Sequence, residues 1–288
     1  MTKQKVSFFP YLLCLPAFLI LIGILYPFGV GVWYSLTNYV FYLPKINFVG
    51  LSNYLKSFQS IDFWLSMKTT LLYVVMALAI QVPLGIGIAL LLNQSHRMFR
   101  FILPLPLMIP LVTSALMWKL MMNPDIGVLN YLLGILKLGE RGWLAMPQTA
   151  LISIVFIDVW TFTPFVALIM LASLQNIPKT QVEAAKIDGA SDWAVFFSIT
   201  LPLISPALII VFLFRAIDSL NQFPLIYATT QGGPGNATMT LHVRGWYEVI
   251  VSSRIGMGMT NLIILWGLCF GLSTYILKLW SRKVEERK

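Results

Sequence analysis

The sequence predicts an all-α membrane protein of about six transmembrane helices, with a helical segment lying at the membrane surface between the fourth and the fifth. Three observations carry this. Hydrophobic residues make up 58% of the 288-residue chain and charged residues 11%, against roughly 25% charged in a soluble domain. The chain cannot hide that much apolar surface inside itself, so lipid is its solvent. Six stretches are apolar over the ~20 residues that a helix needs to cross a bilayer. One stretch, Asn176 to Pro206, breaks the pattern, being too polar to span and too regular for a slack loop.

The six spans fall at 10–35, 69–93, 101–121, 148–173, 203–223 and 259–280, and 1–288 reads as a single transmembrane domain. The first run is longer than a signal-peptide core and no small-x-small cleavage site follows it, so it reads as a retained span. The third carries Pro104, Pro106, Pro110 and Lys119. Prolines are tolerated in a membrane helix where neighbours satisfy the freed carbonyls. Cys14 and Cys269 sit inside apolar runs, which points to neither a disulfide framework nor a metal site. The net charge of +9 does not indicate nucleic acid, because the basic residues are scattered among apolar spans. An even number of spans puts both termini on one side. Lys3, Lys5, Arg97, Arg100, Lys179, Lys186, Arg282, Lys283, Arg287 and Lys288 fall on that side. Lys45, Lys56, Lys68, Lys137, Arg141, Arg244 and Arg254 fall on the other. The bias predicts cytoplasmic termini and a cytoplasmic segment at 176–202.

Within that segment, Thr180 and Glu183 have capping-box spacing, and Val182, Ala185 and Lys186 follow at helical spacing. Gly189 stands where a left-handed C-cap residue is wanted. Ser191 or Asp192 can cap a second helix carrying Trp193, Phe196 and Phe197, before Pro202 and Pro206 mark the start of the next span. A plain amphipathic anchor is the bland reading. The residue string says more. Glu183-Ala184-Ala185, Asp188-Gly189-Ala190, Leu201-Pro202 and Pro206 closely resemble the E-A-A…G…L-P loop of permease subunits of binding-protein-dependent ABC importers.

The resemblance implies the type I ABC importer permease fold, with this loop as a coupling helix seated on a separate ATP-hydrolysing subunit. Glu183, Ala184, Ala185, Asp188 and Gly189 would then be the ATPase-coupling residues. It also implies a prokaryotic inner-membrane protein. Its partners would be a second, non-identical permease, two ATP-binding subunits and an extracytoplasmic solute-binding protein. Phe48–Tyr54 (FVGLSNY), Tyr227-Ala228-Thr229 and Gly232–Thr238 (GGPGNAT) resemble the sugar branch, with its maltose-type and glycerol-phosphate-type permeases. The outer segments 36–65, with its aromatics and Pro44, and 224–257 read as ordered loops that would meet the binding protein.

Ionisable residues inside spans are costly and mark sites by default. Asp158, Thr161, Phe162 and Phe165 share one face of the fourth span. Arg215, Asp218, Ser219 and Gln222, with Asn221 beside them, occupy the fifth. Carboxylates and amides suit hydroxyl groups, and aromatic rings suit the apolar face of a sugar ring. By distance from Glu183, these positions match the sugar-contacting stretches of the maltose-type permease. The competing reading is that Arg215 pairs with Asp158 or Asp218 and holds helices together. Asn261 and Trp266 are weaker candidates, while Gln81, His96 and Trp118 read as structural. No metal-ligand cluster, nucleophile elbow or phosphate loop occurs, and His96 and His242 fall on opposite sides of the membrane. The chain is thus expected to hold no cofactor, with ATP and Mg bound by the partner ATPase. Competing classes are a stand-alone secondary transporter or channel for a small polar solute, and a membrane enzyme. The solute expected is a sugar, oligosaccharide or polyol; Arg215 would suit a phosphorylated one or merely neutralise a carboxylate.

Overall fold

Long apolar runs, punctuated by proline and glycine, fold as helices of unequal length. The computed structural model describes residues 9–42, 45–94 and 97–285. Lys3, Lys5, Pro44, His96, Arg287 and Lys288 lie outside the described residues. In chain order the helices are α1 (Phe9–Ser35), α2 (Ser52–Gln59), α3 (Ile61–Gln94), α4 (Arg97–Ile102), α5 (Leu105–Met108), α6 (Leu111–Met121) and α7 (Val128–Ile135). They continue with α8 (Pro147–Gln175), α9 (Lys179–Ile187), α10 (Asp192–Val195), a π-helical turn at Phe196–Thr200, α11 (Leu201–Leu220), α12 (Pro224–Thr230), α13 (Leu241–Ile250) and α14 (Ile255–Glu285).

Among the described residues five helices are long and apolar enough to cross a bilayer: Leu13–Ser35, Ile61–Gln94, Pro147–Gln175, Asp192–Leu220 and Ile255–Lys278. The continuous third span expected at 101–121 is corrected. Met98–Met108 and Leu111–Met121 meet at a bend of 91°. The cause is Pro110, which forces Ile109 into extended backbone (ψ 126) and itself serves as the N-cap of α6. The fifth span is longer than expected, because α10, the π turn and α11 run on as one helix. Pro202 has no N–H and crowds the preceding turn. The π turn absorbs this: the Leu201 N–H bonds the Phe196 carbonyl, five residues back.

The chain forms two compact units. The first comprises 1–60 and 245–264. There the Asn53 amide donates to the carbonyls of Ser35 (2.9 Å) and Thr37 (2.7 Å), and the Thr260 hydroxyl donates to Ser35 at 3.2 Å. Asn261 is buried and accepts from Ser57 at 3.3 Å. The described residues between 36 and 60 include α2 and an isolated antiparallel bridge between Thr37 and Phe48. Along α1, Ile20, Ile24 and Leu25 are exposed, as suits a helix solvated by lipid or covered by another subunit.

The second unit comprises 61–244 and 265–288 and is built on α3, α8 and α11. Ala89, Val166, Met170, Leu171, Leu174, Ile204 and Val211 form its apolar core. Lipid tails are as apolar as leucine, so close packing has to hold such helices together. Gly85 provides it. A Cβ there would lie 2.5 Å from Val166 Cγ1 and 3.2 Å from the Ala167 amide nitrogen. Gly85→Ala is therefore expected to destabilise the detergent-solubilised protein by about 1–3 kcal/mol. The added change Val166→Ala should restore most of the loss. An unchanged melting temperature in the single variant, or no rescue in the double, would contradict this packing.

Candidate functional site

The surface segment begins at Pro178, the N-cap of α9, with φ −61. This corrects the expected capping box. Thr180 lies inside the helix, no side chain caps it, and Gln181 N–H bonds the Pro178 carbonyl at 3.2 Å. Proline at the cap presets the backbone, so the hydroxyl is not needed there. The helix stops at Gly189, whose φ of +84 is the left-handed conformation a C-cap turn requires. Ala190 N–H then closes on the Ala185 carbonyl at 2.9 Å. Ser191 caps α10 by accepting from Ala194 N–H at 3.3 Å. Helix, glycine turn and helix are thus as the sequence predicts.

No residue of α9 is buried. Glu183, Ala184 and Asp188 are exposed and Ala185 partly so. Ile187 is 86% exposed and Trp193 74%, with Trp193 stacked on an exposed Phe197 at 5.9 Å. The residue of α10 that turns inward is Val195. Behind the segment lies a groove of 1320 Å³, lined among others by Pro83, Leu90, Arg100, Glu183, Lys186 and Val195. Lys186 and Asp192 form an exposed ion pair at 3.0 Å across the turn. Such a pair contributes under about 1 kcal/mol.

The spans carry a second feature, a buried ionic cluster. Arg215 is 1% exposed and Asp158 0%. Arg215 Nη2 donates to Asp158 Oδ2 (2.8 Å) and to Ser219 Oγ (3.1 Å), its Nε donates to Gln81 Oε1 (2.9 Å), and its Nη1 pairs with Asp218 Oδ2. Gln81 Nε2 donates back to Asp158 Oδ2 at 2.7 Å and to the Asp158 carbonyl at 3.1 Å. Gln222 Nε2 reaches Asp158 Oδ1 at 3.3 Å, and the Phe162 ring lies 4.0 Å from the guanidinium carbon. Burying an ion costs several kcal/mol unless partners saturate it. Here one guanidinium is saturated by side chains from α3, α8 and α11. The cluster therefore ties three helices together, as the competing reading anticipates.

The structure divides the residues expected to share a face. Asp158 and Phe162 join the cluster, whereas Thr161 turns toward α6, its hydroxyl 3.4 Å from Ser114, and Phe165 packs on the apolar core. On α11 and just past its end, Arg215, Ser219 and Gln222 are buried, while Asp218 and Asn221 are exposed. Gln81, read as structural, is central to the cluster. Its signal in the sequence was a lone amide deep in an apolar span, and only the fold gives it Arg215 as a partner.

Beyond the end of α11, His242 Nδ1 lies 2.9 Å from the Asn221 carbonyl. A carbonyl only accepts, so Nδ1 carries the proton. Burial lowers the His242 pKa below the usual imidazole range, partly offset by this bond. Phe223 stacks on Tyr227 (5.0 Å) and tilts over His242 (5.3 Å). The glycine-rich loop that follows is fixed by Thr238, whose hydroxyl is 2.6 Å from Thr230 Oγ1 and donates to the Gly233 carbonyl at 2.8 Å.

Several helices long and apolar enough to cross a bilayer, with a patterned surface segment between two of them, define a polytopic membrane protein. The family model described as binding-protein-dependent transport system inner membrane component matches residues 81–285. The chain belongs to that family, as a multi-pass inner-membrane permease. It is 40% identical over 273 residues to the trehalose/maltose transport system permease protein MalF of Thermococcus litoralis, covering 93% of this chain and 92% of that one. It is 33% identical over 286 residues to the sn-glycerol-3-phosphate transport system permease protein UgpA of Yersinia pestis bv. Antiqua, covering 97% and 96%. The fold matches a bacterial ABC transporter that imports the acidic polysaccharide alginate, with a TM-score of 0.83 and 22% identity over 96% of each chain. A bacterial alginate ABC transporter, solved in complex with an alginate pentasaccharide-bound periplasmic protein, matches at a TM-score of 0.83 and 21% identity, over 96% of this chain and 95% of that one.

Removing one member of the cluster leaves its partners buried and unpaired. Asp158→Ala is expected to cost about 3–5 kcal/mol of stability and Gln81→Leu about 1–3 kcal/mol. The joint change Asp158→Leu with Arg215→Met should cost less than Asp158→Ala alone. Melting of the purified protein reads all three, and equal melting temperatures would contradict the cluster's role.

Proposed function

We propose that this chain is the membrane-spanning permease subunit of an ATP-driven importer for a sugar, oligosaccharide or polyol delivered by a solute-binding protein. The observation that carries the reading is the exposed segment α9–Gly189–α10. Ile187 at the end of α9 and Trp193 in α10 are large apolar side chains left exposed beside the spans, more than a helix with one apolar face needs for anchoring. A separate subunit would cover them. The relatives handle trehalose, maltose and glycerol phosphate, which supports a hydroxylated solute.

In this reading the whole chain serves as one permease domain, beside a second, non-identical permease. Two ATPase subunits bind ATP and Mg and hydrolyse the nucleotide. Glu183, Ala184, Ala185, Asp188 and Gly189 form the contact with one of them. The basic residues of the inner segments put that contact and both termini in the cytoplasm. Asp218 and Asn221 face the solute path, and Arg215, Ser219, Gln222, Asp158, Thr161, Phe162 and Phe165 back it from within the bundle. The binding protein supplies the bias between states, since a ligand shifts a conformational equilibrium only through differential affinity.

The broken α4–α6 segment is the one feature shared with stand-alone secondary transporters. Those place broken helices in corresponding halves, and the described residues contain only this bent pair.

Glu183→Lys and Gly189→Asp are expected to cut co-purification of the ATPase subunit and solute uptake together, Gly189→Asp through both its left-handed backbone and its added charge. Asn221→Ala should reduce uptake while leaving assembly intact, and Asp218→Ala should reduce uptake per assembled transporter, since it also strips one partner from Arg215. Normal assembly and transport in the first pair removes the coupling role. Normal uptake kinetics in the second removes the path assignment.

A further inference from the structure

Arg215 is the only cation of the fifth span, so it is the group that would attract an anionic solute. The structure withdraws it. Its side chain is 2% exposed. Each of its nitrogens is engaged: Nε by Gln81, Nη2 by Asp158 and Ser219, and Nη1 by Asp218. Its face is covered by Phe162. The partner that stands between it and the exposed side is Asp218, whose side chain is 50% exposed.

The exposed face of α11 carries Phe214 and Asp218, and its C-cap Asn221 continues that face, at i, i+4 and i+7. Its hydrogen-bonding capacity is one-sided. Asp218 uses Oδ2 on Arg215, and Oδ1 has no partner among the described residues. Asn221 commits its Nδ2 to the Ile217 carbonyl (2.9 Å) and to Cys269 Sγ (3.3 Å), so its Oδ1 is the end left open. A salt-bridged aspartate accepts hydrogen bonds and donates none, as does an amide oxygen. The face therefore offers two acceptors and an aromatic ring. Sugar hydroxyls can donate to both acceptors and lay an apolar ring face on Phe214. Phosphate and carboxylate groups only accept, and here they meet acceptors. The cluster also holds two carboxylates against one guanidinium, so its net charge is negative and an anion is repelled.

We infer that Asp218 is a charge filter: it fills the anion seat of Arg215 from within, and with Asn221 it selects neutral, hydroxyl-rich solutes over phosphorylated or carboxylated ones. This rests on the proposed path assignment of Asp218 and Asn221 and narrows it to a substrate class. Replacing Asp218 by its isosteric amide removes the negative charge and supplies donors. Asn221→Asp does the reverse.

The test is equilibrium binding to the complete transporter in nanodiscs, with the binding protein omitted so that the permease alone selects. The probes are two matched pairs, trehalose with trehalose 6-phosphate and glycerol with sn-glycerol 3-phosphate. The wild type should bind each neutral member at least about tenfold tighter than its phosphate ester. Asp218→Asn should narrow that ratio about tenfold, the size of one charge interaction at a partly exposed site, and Asn221→Asp should widen it. Phosphate esters bound as well as the neutral solutes, or a ratio unmoved by Asp218→Asn, overturns the inference. Uptake in proteoliposomes with the binding protein separates this failure from that of the underlying reading. Impaired uptake in Asp218→Ala with an unmoved ratio sinks the filter alone. Unimpaired uptake sinks the path assignment and the filter with it.

Discussion

A guanidinium in a membrane helix has to be neutralised where it stands, and Arg215 is neutralised by groups on three helices. Asp158 comes from α8, Gln81 from α3 and Ser219 and Asp218 from α11 itself. Moving any one of these helices relative to the others strips a partner from a buried charge, at a cost of several kcal/mol. Shape adds to charge. Gly85 lets α3 touch α8 at backbone distance, and the core from Ala89 to Val211 fills the space between the same helices. The three behave as one body because separating them costs both packing and charge.

The surface segment inherits this rigidity. α10, the π turn and α11 run without a break from Asp192 to Leu220, a rod of ~43 Å. One end carries Trp193, beside the Gly189 turn; the other carries Asp218 and Asn221. A force applied at the proposed ATPase contact reaches the proposed solute path through a single helix clamped on its flank by Arg215. The π turn lets Pro202 sit inside that helix without breaking it.

Much of this was legible in the sequence because membrane helices have to satisfy their own backbone, so apolar length alone gives the spans. Gly189 was legible for a similar reason: few residues accept a left-handed turn. The rest depended on partners distant in sequence. Thr180 has the spacing of a cap but loses the role to Pro178, whose fixed backbone starts the helix two residues earlier. The break at Pro110 needed to be seen in three dimensions, since proline inside a membrane helix can as well be tolerated, as Pro83 and Pro164 are. Asp218 and Arg215 share a helical period but not a direction. Spacing groups them, while packing sends Arg215 inward and leaves Asp218 half-exposed. Gln81 has no meaning until α3 is placed against Arg215.

The proposed function requires the surface segment around Gly189 and the Asp218 end of α11 to move together. Spin labels at Ile187 and Phe214 in the assembled transporter, with distances taken by electron resonance with and without ATP, test this directly. The account predicts an Ile187–Phe214 distance constant to within about 1–2 Å, the width of side-chain and backbone fluctuation, while distances from Phe214 to the second permease change. A change in the Ile187–Phe214 distance as large as the change between subunits would contradict it.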